Sequence, residues 1–430
     1  MKKFYFFSLL SIWGGALFAQ ETPQAEKCWS HKAIQYQESL NPGYAAHVDE
    51  QFEIAKNAPL AKSDETYTIP VVFHVVYNTP DQNLEDSIIL NQLQVLKNDY
   101  QRKNADTINM RSDFEIVKGN PNINFILAQV DPDGNPTSGI TRTETTLETF
   151  SGINFMDDLE RVKQTTQGGI DPWDQDRYLN IWICNMEIFG TTALLGYATP
   201  PDDLPNWPPG SNPGLIDGVV VQYQTVGNNN PNTVDMGDGP LNMKGRTLTH
   251  EVGHYLGLRH IWGDGDCNEE DGIDDTPNAD DQSNFDCDDT KNTCTDNIQN
   301  IDLPDMIENY MDYSSEDCQN TFTQGQVDLM RGVLENQRID LIEDNPASVT
   351  EYSIEAQLYP NPVTSSLNVK IEQGKADFYE VLSLQGKQIM NSSMNTSNIT
   401  IDVESLTKGM YILKLYNNNS TVSTQKFIKN

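Results

Sequence analysis

The run His250-Glu251-Val252-Gly253-His254-Tyr255-Leu256-Gly257-Leu258-Arg259-His260 gathers three of the chain's six histidines and one carboxylate into a single short stretch. Positions four apart share one helix face, so His250 and His254 project together with Glu251 beside them. Catalytic zinc usually takes three protein ligands and keeps a further position open. A continued helix would carry His260 to another face, but Gly257 can adopt the left-handed conformation that ends a helix and turns the chain back. The spacing therefore predicts a helix from about Thr247 to Leu256 and a zinc site of His250, His254 and His260, with Glu251 able to reach a water at the metal. An ordinary amphipathic helix with hydrogen-bonded histidines would have to produce the whole cluster by accident.

At 430 residues the chain is long enough for a full core and more than one domain. Met1-Lys2-Lys3, the apolar stretch from Phe4 to Leu10 and the small residues ending near Ala19 have the form of a bacterial secretory signal. No later stretch approaches the roughly 20 consecutive apolar residues of a membrane span. A net charge of -35 with no compensating basic stripe disfavours nucleic acid as a partner. Between Asp264 and Asp317 there are 19 acidic side chains and a single basic one, Lys291, a density that hard cations such as calcium would relieve. Four of the six cysteines, Cys267, Cys287, Cys294 and Cys318, lie where an exported chain needs disulfides in a long irregular loop, and three pairings are open. Cys184, in an apolar run, reads as a buried small hydrophobe; Cys28 stands apart near the start of the mature chain.

Residues 20–62 are polar and read as a pro-segment. Strands are expected at Ile69–Tyr77, Ile123–Val130, Tyr178–Met186 and Gly218–Tyr223, with a short edge strand at Leu194–Ala198. Helices are expected at Ile88–Tyr100 and from about Thr323 to Ile342. The order suggests an α/β (α+β) catalytic domain over 63–345: a mixed twisted sheet and active-site helix above, an irregular lower subdomain below, and a cleft where an extended peptide can lie along a sheet edge. From Glu351 to Asn430 the 7 acidic and 7 basic residues balance, and alternating strands at Leu367–Ile371, Tyr379–Leu382, Ile399–Val403 and Gly409–Leu415 describe a separate small β-sandwich.

The run His250 to His260, followed by Met311 in Asn309-Tyr310-Met311-Asp312-Tyr313, resembles the metzincin metalloproteases and, more narrowly, the pappalysin family, over roughly Ile69 to Ile342. The resemblance implies zinc on the three histidines, Glu251 polarising the water, Met311 as the apolar floor beneath the metal, and Tyr313 able to stabilise the tetrahedral intermediate. It also implies the crossed disulfides Cys267–Cys294 and Cys287–Cys318, and a calcium site at Asp271, Asp274 and Thr276. Microbial members prefer Arg or Lys just after the cleaved bond; Asp312, Glu316 and Asp317 are the carboxylates available to such a pocket, and Gln319 is neutral where an acid would suit. Members with a pro-segment use a thiolate as fourth zinc ligand, which gives Cys28 a role in latency and the pro-segment that of inhibitor, with an activating cut near Lys56 or Lys62. The segment Leu358-Tyr359-Pro360-Asn361-Pro362 through the ending Gln425 to Lys429 resembles the C-terminal sorting domain of type IX secretion cargo in Bacteroidota. That resemblance implies partnership with the type IX machinery and a secreted or surface-attached protein.

The reading that follows is a secreted zinc endopeptidase, made as a latent zymogen, that hydrolyses proteins or peptides through a water at the metal. Its rivals are a zinc hydrolase of non-peptide amides and a non-enzymatic adhesin held together by metals. The second has no need for Glu251 at its position.

Overall fold

The structure, a computed structural model, describes residues 26–60, 65–152, 156–188, 191–192, 194–201, 215–236, 239–342, 355–373, 376–383, 387–394, 396–417 and 420–430. The expected signal at 1–19 and Lys62 lie outside the described residues. The chain divides into two compact units at Ser348 and Val349.

Among the described residues the main sheet of the first unit has seven strands: β1 (Glu26–Cys28), β2 (Tyr67–Tyr77), β3 (Ile123–Leu127), β4 (Ile140–Glu144), β5 (Leu179–Cys184), β6 (Leu194–Ala198) and β7 (Val219–Gln222). They lie in the order β1-β6-β7-β5-β2-β3, with β4 paired to the second half of β2. Every pairing is parallel except β6 with β7, so the sheet is mixed. Strand β2 is apolar almost throughout because both faces are covered: Val71, Phe73 and Val75 enter one core cluster, Val76 a second and Val72 a third. The edge strand at Leu194–Ala198 is filled by β1 of the same chain.

Helix α1 (Ser30–Leu40) and helix α2 (Tyr44–Asn57) follow β1 and belong to the segment read as a pro-segment. Helix α3 (Asp86–Tyr100) buries Ile89, Leu93, Leu96 and Tyr100 at helical spacing. It also anchors the active-site helix α4 (Arg246–Tyr255): Gln92 Nε2 donates to Gly245 O at 2.8 Å, and Tyr100 Oη donates to Thr249 O at 3.0 Å. At the start of α4 the carboxylate of Glu316 accepts from the amides of Lys244, Arg246 and Thr247, putting a negative charge where the first-turn N–H groups lack partners. Helix α5 (Gln324–Glu335) opens on a capping box between Thr323 and Gln326. It does not run to Ile342 as the sequence pattern suggested; Asn336 leaves helical geometry, and only a 3₁₀ turn at Ile339–Leu341 follows.

Between α4 and Phe322 the described residues form turns and isolated bridges only. Its acidic residues serve largely as acceptors for main-chain amides that no ladder satisfies: Asp271 for Ile273, Asp296 for Asn278, Asp305 for Thr293 and Asp312 for Ser283. Disulfides join Cys267 to Cys294 and Cys287 to Cys318 across this segment.

Among the described residues the second unit has two antiparallel sheets. One contains β8 (Glu355–Tyr359), β9 (Ser366–Gln373) and β12 (Asn398–Asp402); the other contains β10 (Phe378–Ser383), β11 (Gln388–Ser393), β13 (Gly409–Asn417) and β14 (Ser420–Lys429). Leu367, Val369 and Ile401 from the first sheet share one core with Val381, Leu413 and Phe427 from the second. That is a small β-sandwich.

His74, buried in β2, ties three strands together, with Nδ1 2.8 Å from Thr141 Oγ1 on β4 and Nε2 3.0 Å from Asn180 Oδ1 on β5. Burial lowers its pKa from 6.5 to about 4. A depressed histidine leaves the unfolded chain binding the proton first, so its stabilising contribution is complete above about pH 6.5 and lost as the pH falls toward 4. Unfolding at a series of pH values should show a loss on the order of 3 kcal/mol across that window that His74→Asn largely removes; an identical slope in the variant would contradict this assignment.

Candidate metal centre and active site

Helix α4 presents His250, Glu251 and His254 on one turn, and Gly257, at φ +92°, brings the chain back so that His260 meets them. Each ring is oriented by an acceptor at Nδ1: Tyr310 O at 2.7 Å for His250, Leu258 O at 2.8 Å for His254, and Asp264 Oδ1 at 2.6 Å for His260. A carbonyl or carboxylate oxygen can only accept, so in the neutral rings the proton sits on Nδ1 and Nε2 carries a bare lone pair. These Nε2 atoms converge, that of His254 lying 3.1 Å from those of both His250 and His260. Bare lone pairs cannot bond to one another; three of them facing a common point form a donor set for a cation. Burial favours the uncharged form of two of these rings, lowering His254 to about 3 and His250 well below its usual value.

The sulfur of Cys28 joins the cluster. Its Sγ and the ligating nitrogens of the three histidines all lie within 4.8 Å of one another, and all four residues are buried. Imidazoles and a thiol suit zinc by ligand type and number. Among the described residues the other such grouping is Cys267, Asp280 and Cys294, whose sulfurs are consumed in a disulfide.

Glu251 is fully buried, and Oε2 accepts from Cys28 Sγ and Ser30 Oγ, each at 3.2 Å, while Oε1 has no hydrogen-bond partner. Burial raises its pKa to about 8. Ser30 Oγ also accepts from Ala198 N at 2.9 Å, which links the carboxylate to strand β6. Directly across, a Cβ on Gly196 would lie 2.8 Å from Glu251 Oε1, so only glycine lets the strand pass so close. Burial, and then the charge of Glu251, push the Cys28 thiol up; a coordinated cation reverses that preference.

Met311 is fully buried beneath the helix, and a Cβ on Gly253 would come within 2.4 Å of its Sδ. Tyr313 packs against the rings of His250 and His260, with centroids 5.7 Å and 5.0 Å away. Its hydroxyl accepts from Cys28 N at 3.1 Å and donates to Cys28 O at 3.0 Å. Trp262 stacks on His260 at 4.4 Å.

Strand β1 thus lays Cys28 over the cluster, running parallel to β6 with Cys28 opposite Gly196. Lys27, just before it, is 1 % exposed, and its ammonium donates to Asp312 O at 3.0 Å and Ser314 O at 3.4 Å. The helices after β1 are held to the catalytic unit by Lys56 with Asp274 and by Arg259 with Asp49. Asp271 is buried with Oδ2 unpartnered and Thr276 is buried, whereas the carboxylate of Asp274 is exposed and faces Lys56. Ser30, Gly196 and Asp264 escaped the sequence reading. Of these only Gly196, a lone glycine inside an apolar strand, carried a local signal.

A family model described as pregnancy-associated plasma protein-A, of the M43 peptidases, matches residues 223–335, and one described as a secretion system C-terminal sorting domain matches 357–430. An extracellular metalloprotease of Uncinocarpus reesii is 30% identical over 270 residues, covering 62% of this chain and 76% of that protein. One from Arthroderma benhamiae is 28% identical over 293 residues, covering 67% and 80%. Mature mirolysin of Tannerella forsythia, solved with a cleaved peptide, is 43% identical, covers 65% of this chain and 97% of its own, and superposes with a TM-score of 0.55. A point mutant of promirolysin from the same organism is 39% identical, covers 74% and 97%, and superposes with a TM-score of 0.62.

Proposed function

The chain belongs to the pappalysin family of metalloproteases, and from that premise we propose how its residues divide the work of a latent, secreted zinc endopeptidase. Zinc, when bound, supplies Lewis acidity toward the scissile carbonyl and lowers the pKa of water. His250, His254 and His260 would hold it through Nε2, and Tyr310 O, Leu258 O and Asp264 fix the rings. Glu251 takes the proton of the attacking water and returns it to the departing amine. The convergence of three Nε2 lone pairs beside a buried carboxylate with one oxygen unpartnered is the observation that carries this reading. A structural metal site in an adhesin would have no use for that carboxylate.

Latency belongs to Cys28. Its thiolate would hold the ion as a fourth ligand in the precursor, and the same segment engages Glu251 through the Ser30 hydroxyl and Tyr313 through the main chain of Cys28. Removal of residues 20–62 frees Glu251 to accept a proton and the Tyr313 hydroxyl to donate to the developing oxyanion, while Met311 packs under the site. The domain plan is a signal at 1–19, the pro-segment at 20–62, the catalytic domain at 63–345 and the sorting domain at 351–430. The last directs type IX export and a secreted or surface-attached state. A preference for Lys or Arg after the cleaved bond is supported by the pocket around Lys27. Calcium is assigned to Asp271, Asp274 and Thr276; Asp271 Oδ2, buried without a partner, supports that site, while the exposed carboxylate of Asp274 is paired with Lys56.

Glu251→Gln in the mature chain should retain zinc and lose on the order of 10²- to 10⁴-fold in kcat/KM; full turnover in a preparation cleared of other peptidases would exclude Glu251 as the base. Cys28→Ala should make the uncleaved precursor active, measured as peptide hydrolysis before any cut, and a silent variant with its zinc in place would remove Cys28 from the latency mechanism. Chelation of calcium should lower the melting temperature of the unaltered chain and leave that of Asp271→Asn unmoved. Equal shifts in both would move the ion elsewhere.

A further inference from the structure

Helix α2 meets the catalytic unit through a surface of its own, apart from the contacts of Cys28 and Ser30. Tyr44, Val48, Phe52 and Ala55 recur at helical spacing as its buried face. Phe52 enters between Gly272 and Arg259: the guanidinium lies 4.0 Å from the ring centroid, and a Cβ on Gly272 would come within 2.8 Å of the ring. Ala55 passes over α5 at Gly332, where a Cβ would fall 2.3 Å from Ala55 O. A glycine inside a helix weakens it, and what Gly332 permits in return is this close passage of α2. Around the apolar centre Arg259 Nη2 donates to Asp49 at 2.8 Å, Lys56 Nζ to Asp274 at 3.2 Å, and Gln337 Nε2 to Gln51 O at 3.0 Å.

The α1–α2 hairpin is also braced within itself. Glu38, in the last turn of α1, accepts from the amides of Gly43 and Ala45, both at 3.0 Å, so α1 caps the first turn of α2. Holding α2 therefore holds α1 and, just before it, Cys28 at a high effective concentration over the histidines. The lysine within α2 offers no release, because Ala55 before it is helical and 1 % exposed, whereas a peptidase reads its substrate extended. A cut that separates the pro-segment from the catalytic domain falls instead between Asn57 and Tyr67, and every hairpin residue named above lies before it. We propose that this surface is a docking site for a helix that carries an acid, an aromatic and a small residue three apart, as in Asp49, Phe52 and Ala55. It keeps the hairpin on the enzyme, and the enzyme latent, after the chain has been cut between α2 and β2. Activity then awaits a second event, the destruction or displacement of the hairpin. This deepens the latency reading above and rests on it.

The test uses the zinc-loaded precursor with a recognition sequence for a foreign, sequence-specific protease inserted between α2 and β2. After that single cut the fragment should co-elute with the catalytic unit in gel filtration, and peptide hydrolysis should stay at the level of the uncut precursor. Phe52→Ala should remain latent while uncut, because the tether supplies the lost affinity, and should release its fragment and become active once cut, with the fragment's affinity lowered on the order of 100-fold. Gly332→Ala should behave in the same way from the other side of the contact, although alanine by itself favours the α5 helix. Release of the fragment and full activity on cutting the unaltered chain would overturn the proposal. So would cut fragments that stay bound in both variants, or an unaltered enzyme that hydrolyses peptides with its fragment still attached. A zinc-loaded enzyme stripped of the fragment that hydrolyses nothing would bring down the endopeptidase reading, and co-elution would still decide the docking.

Discussion

Three hydrogen bonds made away from the metal determine the rest of the site. Because Tyr310 O, Leu258 O and Asp264 each claim the Nδ1 proton of one histidine, the three Nε2 atoms have only lone pairs to turn inward. Each acceptor comes from a different local structure: the turn before Met311, the reversal after Gly257, and a residue beyond His260 held at positive φ. The active-site helix is fixed in turn by α3 and by Glu316 at its first turn. The fold therefore acts on the chemistry chiefly by orienting rings.

The same geometry explains how a short segment can silence the site. Lys27 and Cys28 of β1 and Ser30, two residues beyond it, occupy three functions at once: Lys27 fills the pocket beyond the turn, Cys28 lies over the histidines, and Ser30 binds the carboxylate of Glu251. Pairing with β6 lays this segment along the sheet edge that an extended substrate would use. On the proposed latency mechanism inhibition is by occupancy, over histidines that are already brought together in the presence of the segment.

Legibility in the sequence followed the distance over which each feature is built. The histidines, Glu251 and the turn at Gly257 lie in one helix and its exit, where spacing alone carries geometry. Strands β2, β5 and β7 announced themselves as apolar runs because both faces are buried. Strand β4, Ile140–Glu144, did not, since its Thr, Arg and Glu give no apolar period. Strand β1 is too short to show any period and is a strand only because β6 lies beside it. Ser30 and Gly196 act on Glu251 from far along the chain, through contacts that exist only after folding. The acidic segment read as a call for cations, yet much of its charge serves its own unpaired backbone amides, a use that composition cannot distinguish from metal binding.

X-ray absorption at the zinc edge, recorded on the intact precursor and again after the pro-segment is removed, tests the central claim most directly. The account predicts three nitrogen neighbours in both forms, with one sulfur at about 2.3 Å in the precursor replaced by oxygen in the mature chain. Absence of zinc from both forms, or a precursor shell without sulfur, would contradict it.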